Sequence, residues 1–386
     1  ILFCLFFCKD NLEVYYVQGI YVLSALFDIT WLFYGLERFK SVVIKNFIVK
    51  VLVLILIFTL VKNPSDLITY TFIMTGSVLL SQISLLPTAL IIVKPIRFGW
   101  NDVREHIKPL IILSVSVLAV SLYTIFNKTL LGIMSSAKDV AFYEYSNNIV
   151  TIPKMILGVI GTVLFPRACN CVAKQDFEGI KKYFKYSLLA VYFIGFGSVF
   201  GLVSIADLFS VVYYGKNFAA CGGIIKALAP AILIIGLGDI FRSQFLIPLG
   251  RDVEYTACVM VNSIINLIVS FMLIPKLGIY GVVIGTLLAE LFGIVYQAIL
   301  IRKYIDVNLM ISSSIPFIVA GLLMMFSIKI IKYFMNMTIF GLIFQIVIGG
   351  IVYIFILAIW FLVLSSDSKK YRIKIVGIIK QKIQYS

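Results

Sequence analysis

Residues 14–40 read VYYVQGIYVLSALFDITWLFYGLERFK, and this stretch decides the fold. Its first part, 14–33, is an apolar run long enough to cross a bilayer as one helix. Asp28 lies inside that run, and a segment of mixed charge follows where the run would meet water. Because an ionisable group at membrane depth is costly, it usually faces a cavity or a charged partner. The stretch therefore predicts a membrane-spanning helix with an inward-facing polar group.

The composition is that of a polytopic membrane protein. Hydrophobic residues make up 61% of the 386 residues and charged residues 13%, whereas soluble domains are about half apolar and about a quarter charged. The apolar runs are expected to be helices, because backbone groups in lipid must be hydrogen-bonded within the segment. The sequence thus predicts an all-α fold. The predicted spans are 14–33, 42–61, 67–93, 109–133, 140–165, 186–206, 222–248, 255–275, 279–301, 312–331 and 339–364.

The distribution of Lys and Arg predicts the orientation of these spans. Alternate connections, together with residues 365–386, hold 20 basic residues, and the opposite connections hold six. The positive-inside rule makes the richer side cytoplasmic, which places the C-terminus inside. The net charge of +15 therefore indicates a membrane surface and not a nucleic acid. One basic connection, 166–185, is predicted to be a short amphipathic helix on the inner surface.

Five predicted spans carry polar residues at helical spacing. In the span 140–165, polar side chains recur every three or four residues and so share one helix face. The five stripes are Gln18, Tyr21, Ser24, Asp28 and Trp31; Ser114, Ser121, Thr124 and Lys128; Glu144, Asn147, Asn148, Thr151 and Lys154; Asn262, Asn266 and Ser270; and Thr286, Glu290 and Gln297. Helix–helix hydrogen bonding explains any single stripe equally well. The five together favour a polar chamber.

Charged side chains deep in the spans are the candidate functional groups. Lys128 and Lys154 could hold an anion by charge and hydrogen bonds, although lysines near span ends also extend to the interface. Asp239 and Arg242 are three residues apart on one helix face and could pair with each other. Glu290 has no obvious partner in its own predicted helix and is a candidate proton carrier.

The sequence offers little for enzymatic chemistry. A membrane-embedded glycan polymerase or glycosyltransferase needs general acids and bases or a metal, usually gathered in a sizeable loop. The connection 166–185 is the longest expected loop and holds neither a histidine nor an acidic cluster. We therefore predict no catalytic residues, no metal and no cofactor, and keep the polymerase as an alternative of a different class.

Several motifs resemble bacterial Wzx-type polysaccharide flippases, which belong to the MATE-like oligosaccharidyl-lipid/polysaccharide exporter superfamily. The resemblance begins at 28–40 and runs along the whole chain in the expected order. Its further motifs are 127–132 with 135–136, 142–144 with 152–154, 161–167, 246–251, and 274–278 with Gly285, Thr286 and Glu290.

The resemblance implies a particular domain organisation. It predicts two lobes of six helices around a central cavity, followed by an extra pair of helices. The corresponding segments are 1–93 for the remainder of the first lobe, 94–108 for a cytoplasmic linker, 109–301 for the second lobe, 312–364 for the helix pair and 365–386 for a basic cytoplasmic tail. Some N-terminal helices of the first lobe are then expected to precede this sequence.

The resemblance also implies a function. It predicts transport of undecaprenyl-diphosphate-linked oligosaccharides, by alternating access, from the inner to the outer leaflet of the bacterial cytoplasmic membrane for O-antigen or capsule synthesis. The implied partners are this lipid, membrane lipids, and the polysaccharide polymerase and chain-length machinery. The implied substrate contacts are Lys128, Lys154, Arg167, Arg242, Asn147, Asn148 and Thr151. The implied ion-coupling or gating residues are Asp28, Glu144, Asp239 and Glu290.

A small-molecule antiporter of the same superfamily is the nearest alternative function. A chamber that accepts cationic drugs should be acidic. Within the predicted spans, however, seven residues are basic and four are acidic. This balance favours an anionic substrate.

Overall fold

The computed structural model describes residues 12–36, 38–93, 99–100, 104, 107, 125–334 and 338–364. Every element formed by these residues is helical, which confirms the all-α fold. Ten helices in this part of the chain are long and apolar enough to cross a membrane. The predicted span 109–133 lies outside the described residues except for the short helix Ile125–Met134. The predicted tail 365–386 and most of the predicted linker 94–108 also lie outside them.

The chain divides into two compact units, residues 1–108 and 109–386. The described helices of the first unit are α1 (Leu12–Ser24), α2 (Thr30–Gly35), α3 (Phe39–Leu60), α4 (Leu67–Ile83) and α5 (Leu86–Ile92). Both α1 and α3 pack against α4. A small buried core lies among Phe33, Val42, Leu85 and Ala89, while most large apolar side chains of α3 are exposed, as expected for a helix surrounded by lipid.

A single carboxylate organises the turn between α3 and α4. The backbone N–H groups of Lys62 and Asn63 both donate to Asp66 Oδ2, each at 2.9 Å. These bonds stabilise the charged form and hold the pKa of Asp66 below its ordinary value. The turn that starts α4 is therefore fixed by local hydrogen bonds.

The second unit is a helical bundle around one contiguous apolar core. Its described helices are α6 (Ile125–Met134), α7 (Ala137–Ala173), α8 (Phe177–Phe209), α9 (Ala220–Leu228), α10 (Pro230–Phe241), α11 (Asp252–Leu277), α12 (Ile279–Ile301), α13 (Val307–Phe334) and α14 (Ile339–Ile359). Helix α8 contacts α7, α9, α10, α13 and α14 and is central to the bundle. A π-helical turn, Arg242–Leu246, continues α10.

The predicted surface helix at 166–185 is wrong. Helix α7 continues through Pro153 and Pro166 to Ala173, and α8 begins at Phe177. Each helix has more than 30 residues and is longer than the roughly 20 residues that a bilayer requires. Arg167 therefore lies near the end of α7, Lys174 lies in the short turn, and Lys181, Lys182 and Lys185 lie near the start of α8.

The most extensive helix contact among the described residues joins α11 and α12. Gly281, Gly285 and Gly293 lie on one face of α12, and a Cβ at any of them would collide with α11. At Gly281 the collision is with backbone, 2.6 Å from Ile274 N. Small residues allow two membrane helices to approach this closely. The hairpin therefore sets the polar side chains of α11 and α12 at fixed positions.

Candidate functional site

Four helices of the second unit bring polar side chains together inside the apolar bundle. We call this set the polar cluster. It consists of Lys154 on α7, Asp239 and Arg242 on α10 and its π turn, Tyr255 and Asn262 on α11, and Glu290 and Gln297 on α12.

Arg242 is the most connected member of the polar cluster. Its Nη2 donates to Asp239 Oδ1 at 3.2 Å, and its Cζ lies 5.7 Å from the centre of the Tyr255 ring. Arg242 Nε is buried and has no acceptor among the described residues. A guanidinium has five N–H donors, so Arg242 retains donor capacity for a ligand while paired with Asp239.

A cavity of about 200 Å³ opens beside this ion pair. Lys154, half-buried on α7, interacts electrostatically with Glu290. Gln297 Oε1 is buried and accepts no hydrogen bond within the described part of the chain. The basic groups Arg242 and Lys154 are not among the lining residues of the cavity, but they interact with two carboxylates that are, Asp239 and Glu290. The polar residues that line the cavity are Asp239, Tyr255, Asn262, Ser263, Glu290 and Gln297.

A second polar group lies nearer the start of α7. Lys128 on α6 forms an ion pair with Glu144 on α7. Glu144 is about 15 Å from Lys154 along the helix, at about 1.5 Å per residue. The charge of Lys128 is therefore balanced by Glu144, and the structure does not bring Lys128 to the polar cluster.

Part of the predicted stripes holds helices together. Asn127 Nδ2 and Asn266 Nδ2 both donate to Thr286 Oγ1, at 3.4 and 3.2 Å. These bonds join α6, α11 and α12. Some polar residues of α11 and α12 therefore join helices to one another, and others line the cavity.

The amide and hydroxyl residues predicted to contact substrate lie on α7 between its two charged positions. They are Asn147, Asn148 and Thr151. Asn148 is exposed and the other two are half-buried. Their side chains make no hydrogen bonds with other described residues, so their polar atoms remain available to a ligand.

The structure places Arg167 away from the polar cluster. Its Cζ lies 5.8 Å from the centre of the Tyr183 ring on α8. At about 1.5 Å per residue, Arg167 is about 20 Å along α7 from Lys154. These two residues cannot contact the same phosphate group.

Asp28 occupies a break between helices of the first unit. It accepts hydrogen bonds from Thr30 N at 3.0 Å and from Thr30 Oγ1 at 2.5 Å, so it caps α2. The carboxylate is exposed in this unit and interacts electrostatically with Lys45. The predicted stripe of span 14–33 is therefore interrupted at this residue, and the geometry favours a capping role.

This geometry predicts different outcomes for two substitutions of Asp28. Asp28→Asn keeps the side-chain oxygen that caps α2, and we expect a wild-type amount of protein in the membrane and a wild-type Tm. Asp28→Ala removes the cap, at a cost of about 1 kcal/mol, and should lower both. Immunoblots of membrane fractions and thermal unfolding in detergent measure the two effects. If Asp28→Asn lowers the Tm as much as Asp28→Ala does, the capping interpretation fails and the charge of Asp28 is required.

Some residues of the site were not predicted from the sequence. Tyr255 lies in a different predicted span from Arg242, and no spacing links the two. The glycines of α12 do carry a signal, because small residues at intervals of four are typical of close helix packing in membranes. That signal could have identified the α11–α12 hairpin.

Comparison with known proteins finds one matching family and several similar proteins. Residues 11–170 match the family described as polysaccharide biosynthesis protein. The chain is 26% identical over 289 residues to a protein of Shigella dysenteriae named "Putative O-antigen transporter", covering 73% of this chain and 70% of the relative. It is 22% identical over 270 residues to a protein of the same name from Escherichia coli K12, covering 67% of this chain and 63% of the relative.

A third similar protein is an uncharacterized membrane protein of Methanocaldococcus jannaschii, 27% identical over 214 residues, or 52% of this chain and 39% of the relative. The matched family and the names of these two relatives indicate the same class of protein as the sequence motifs do. The predicted resemblance is thereby supported: residues 11–170 match the polysaccharide biosynthesis family, and the chain is similar to proteins named as O-antigen transporters.

Proposed function

We propose that this protein is a flippase, and not an enzyme, that moves an undecaprenyl-diphosphate-linked oligosaccharide from the inner to the outer leaflet of the bacterial cytoplasmic membrane. The matched family and the names of the two transporters support polysaccharide export in general. The substrate, its direction and the cytoplasmic position of the C-terminus are our own proposals.

The polar cluster is the observation that carries this proposal. A lipid diphosphate has a compact anionic group with many hydrogen-bond acceptors. Arg242 offers a planar guanidinium whose buried Nε has no acceptor among the residues that the structure describes, and arginine matches phosphate geometry with two parallel hydrogen bonds. Lys154 adds a second positive charge to the same cluster. The amide and hydroxyl groups of α7 would contact sugars.

The carboxylates explain how the site could be stable when empty and yet release its substrate. Asp239 accepts one of the hydrogen bonds that Arg242 can donate, and Glu290 interacts electrostatically with Lys154. An incoming diphosphate would compete with these carboxylates for the basic groups. An unpaired carboxylate inside the bundle is costly, so each displaced acid favours binding of a coupling cation. We propose Asp239 and Glu290 as the ion-coupling residues of an alternating-access cycle.

Lys154→Gln is expected to abolish export, because it removes a positive charge from the cluster with little change in side-chain size. The matched control is Lys329→Gln on α13, where the lysine is exposed and should be dispensable. Each variant is expressed in a strain lacking the gene, and lipid-linked repeat units are quantified in each leaflet alongside surface polysaccharide.

In that strain, repeat units should accumulate in the inner leaflet, and only the wild type and the Lys329→Gln variant should clear them. Restoration of export by Lys154→Gln would contradict the assigned role of Lys154. Sensitivity to cationic drugs without accumulation of repeat units would favour an antiporter. Accumulation of unpolymerised units in the outer leaflet would indicate a polymerase.

A further inference from the structure

We infer that the second unit carries a separate binding site for the phosphate of a lipid head group, in a basic pocket where α11 begins and α12 ends. We call it the rim pocket. Its volume is about 530 Å³, and its polar residues are Arg251, Arg302, Lys303 and Tyr304. The rim pocket shares no lining residue with the cavity of the polar cluster. This inference does not depend on the proposed transport function.

The guanidinium of Arg251 is held in a fixed position at the rim pocket. Its Nη1 donates to the main-chain oxygen of Leu300 at 2.6 Å, and its Nε donates to Glu254 Oε1 at 3.1 Å. These bonds connect the start of α11 with the end of α12. The side chain is oriented before any ligand binds, which lowers the entropic cost of binding.

Arg302 and Lys303 supply positive charge that the described residues leave unbalanced. Both side chains are exposed, and neither forms an ion pair within the described part of the chain. Glu254 pairs with Arg251. Three of the residues that line the rim pocket are basic, and none of its lining residues is acidic. An anion in the pocket would therefore contact a positively charged lining.

An aromatic side chain forms one wall of the rim pocket. The Tyr304 ring stacks on Phe177 and Phe245, with ring centres 5.7 and 5.9 Å apart. This packing fixes Tyr304 between α8 and the π turn. Tyrosine with one apolar face and one polar end is typical of the membrane–water interface.

The position of the rim pocket indicates which phosphates can reach it. It lies at the ends of two helices that are long and apolar enough to span a membrane, Asp252–Leu277 and Ile279–Ile301. Head groups lie at this depth, and basic pockets between membrane helices bind phosphate-bearing head groups. An anionic glycerophospholipid and an isoprenoid diphosphate both present this chemistry, and both must be tested.

The test uses the full chain in lipid nanodiscs and compares two double variants that lose the same charge. Arg302→Gln/Lys303→Gln changes the rim pocket. Lys182→Gln/Lys185→Gln changes exposed lysines near the start of α8. The probes are phosphatidylglycerol in phosphatidylcholine nanodiscs and farnesyl diphosphate added to nanodiscs of phosphatidylcholine alone. Thermal unfolding and native mass spectrometry measure binding of each probe.

The wild type and the α8 variant should bind at least one probe saturably and show a higher Tm with it. The rim-pocket variant should bind roughly tenfold more weakly, as expected when charge-assisted hydrogen bonds are lost. Its unchanged Tm in phosphatidylcholine alone would show that it folds.

The pattern of binding identifies the source of the phosphate. Loss of phosphatidylglycerol binding alone would identify a site for a resident lipid, and loss of farnesyl diphosphate binding alone would identify a site for the isoprenoid diphosphate. Equal weakening in both double variants would overturn the inference, because it would show attraction by surface charge only. The Lys154→Gln variant should still bind the probe at the rim pocket. A failure of the proposed transport function can therefore be distinguished from a failure of this inference.

Discussion

Arg242→Gln is expected to abolish export and to reduce the amount of folded protein. The substitution removes the hydrogen-bonded partner of Asp239, whose side chain is 27% exposed. Removing one member of a buried ion pair costs about 3–5 kcal/mol, because the remaining charge is left uncompensated. Because this pair is partly exposed, we expect the free energy of unfolding to fall by an amount at or below the lower end of that range.

The double variant Asp239→Asn/Arg242→Gln separates stability from function. It removes both charges, so the protein level and the Tm should return close to those of the wild type. Export should not return if Arg242 holds the diphosphate, because the guanidinium is still missing. Membrane protein level, Tm in detergent and surface polysaccharide are measured on the same set of strains. Recovery of export in the double variant would show that the ion pair is only structural.

Gly281→Ala is expected to destabilise the second unit strongly. The added Cβ would lie 2.6 Å from Ile274 N and 2.6 Å from the carbonyl carbon of Leu273. Backbone cannot move aside as a side-chain end can, so α11 and α12 must separate. Overpacking of this kind typically costs about 1–3 kcal/mol, and the shift would also displace Asn262 and Glu290 from the cavity.

Gly350→Ala is the matched control for this prediction. Gly350 lies within α14, and a Cβ there would have no atom within 4 Å. We expect the Tm and the export activity of the Gly350→Ala variant to equal those of the wild type or to exceed them slightly, because alanine favours the helix. Equal effects of the two substitutions would show that the close approach of α11 and α12 does not contribute to stability.

The sequence predicted the helical fold well, because long apolar runs leave few alternatives in lipid. The limits of helices were harder to predict. The span 222–248 is divided at Ala229 into α9 and α10, and the run 14–33 contains a break at Asp28. Both features depend on local hydrogen bonds and tertiary packing, which an apolar run does not encode.

The candidate site was only partly predictable for a similar reason. Helical spacing places Glu144 and Lys154 on one face of α7, but it says nothing about the neighbouring helices. The structure pairs Glu144 with Lys128, whereas Lys154 interacts electrostatically with Glu290. The ion pair of Asp239 and Arg242 was predicted, since both residues lie on one helix. The contact of Arg242 with Tyr255 required the three-dimensional arrangement.

The π turn Arg242–Leu246 makes this region sensitive to the number of residues it contains. Ser243, Gln244, Phe245 and Leu246 are all buried, whereas the Arg242 side chain is 33% exposed, so protein encloses the turn except at Arg242. A π turn accommodates one residue more than an α-helical turn does. Deleting a single residue here would restore a regular α-helix. The helix that precedes the deletion, with Arg242, would then rotate by about 100° relative to the segment that follows it. The direction in which the guanidinium points is thus determined by the number of residues in the turn as well as by the identity of the side chain.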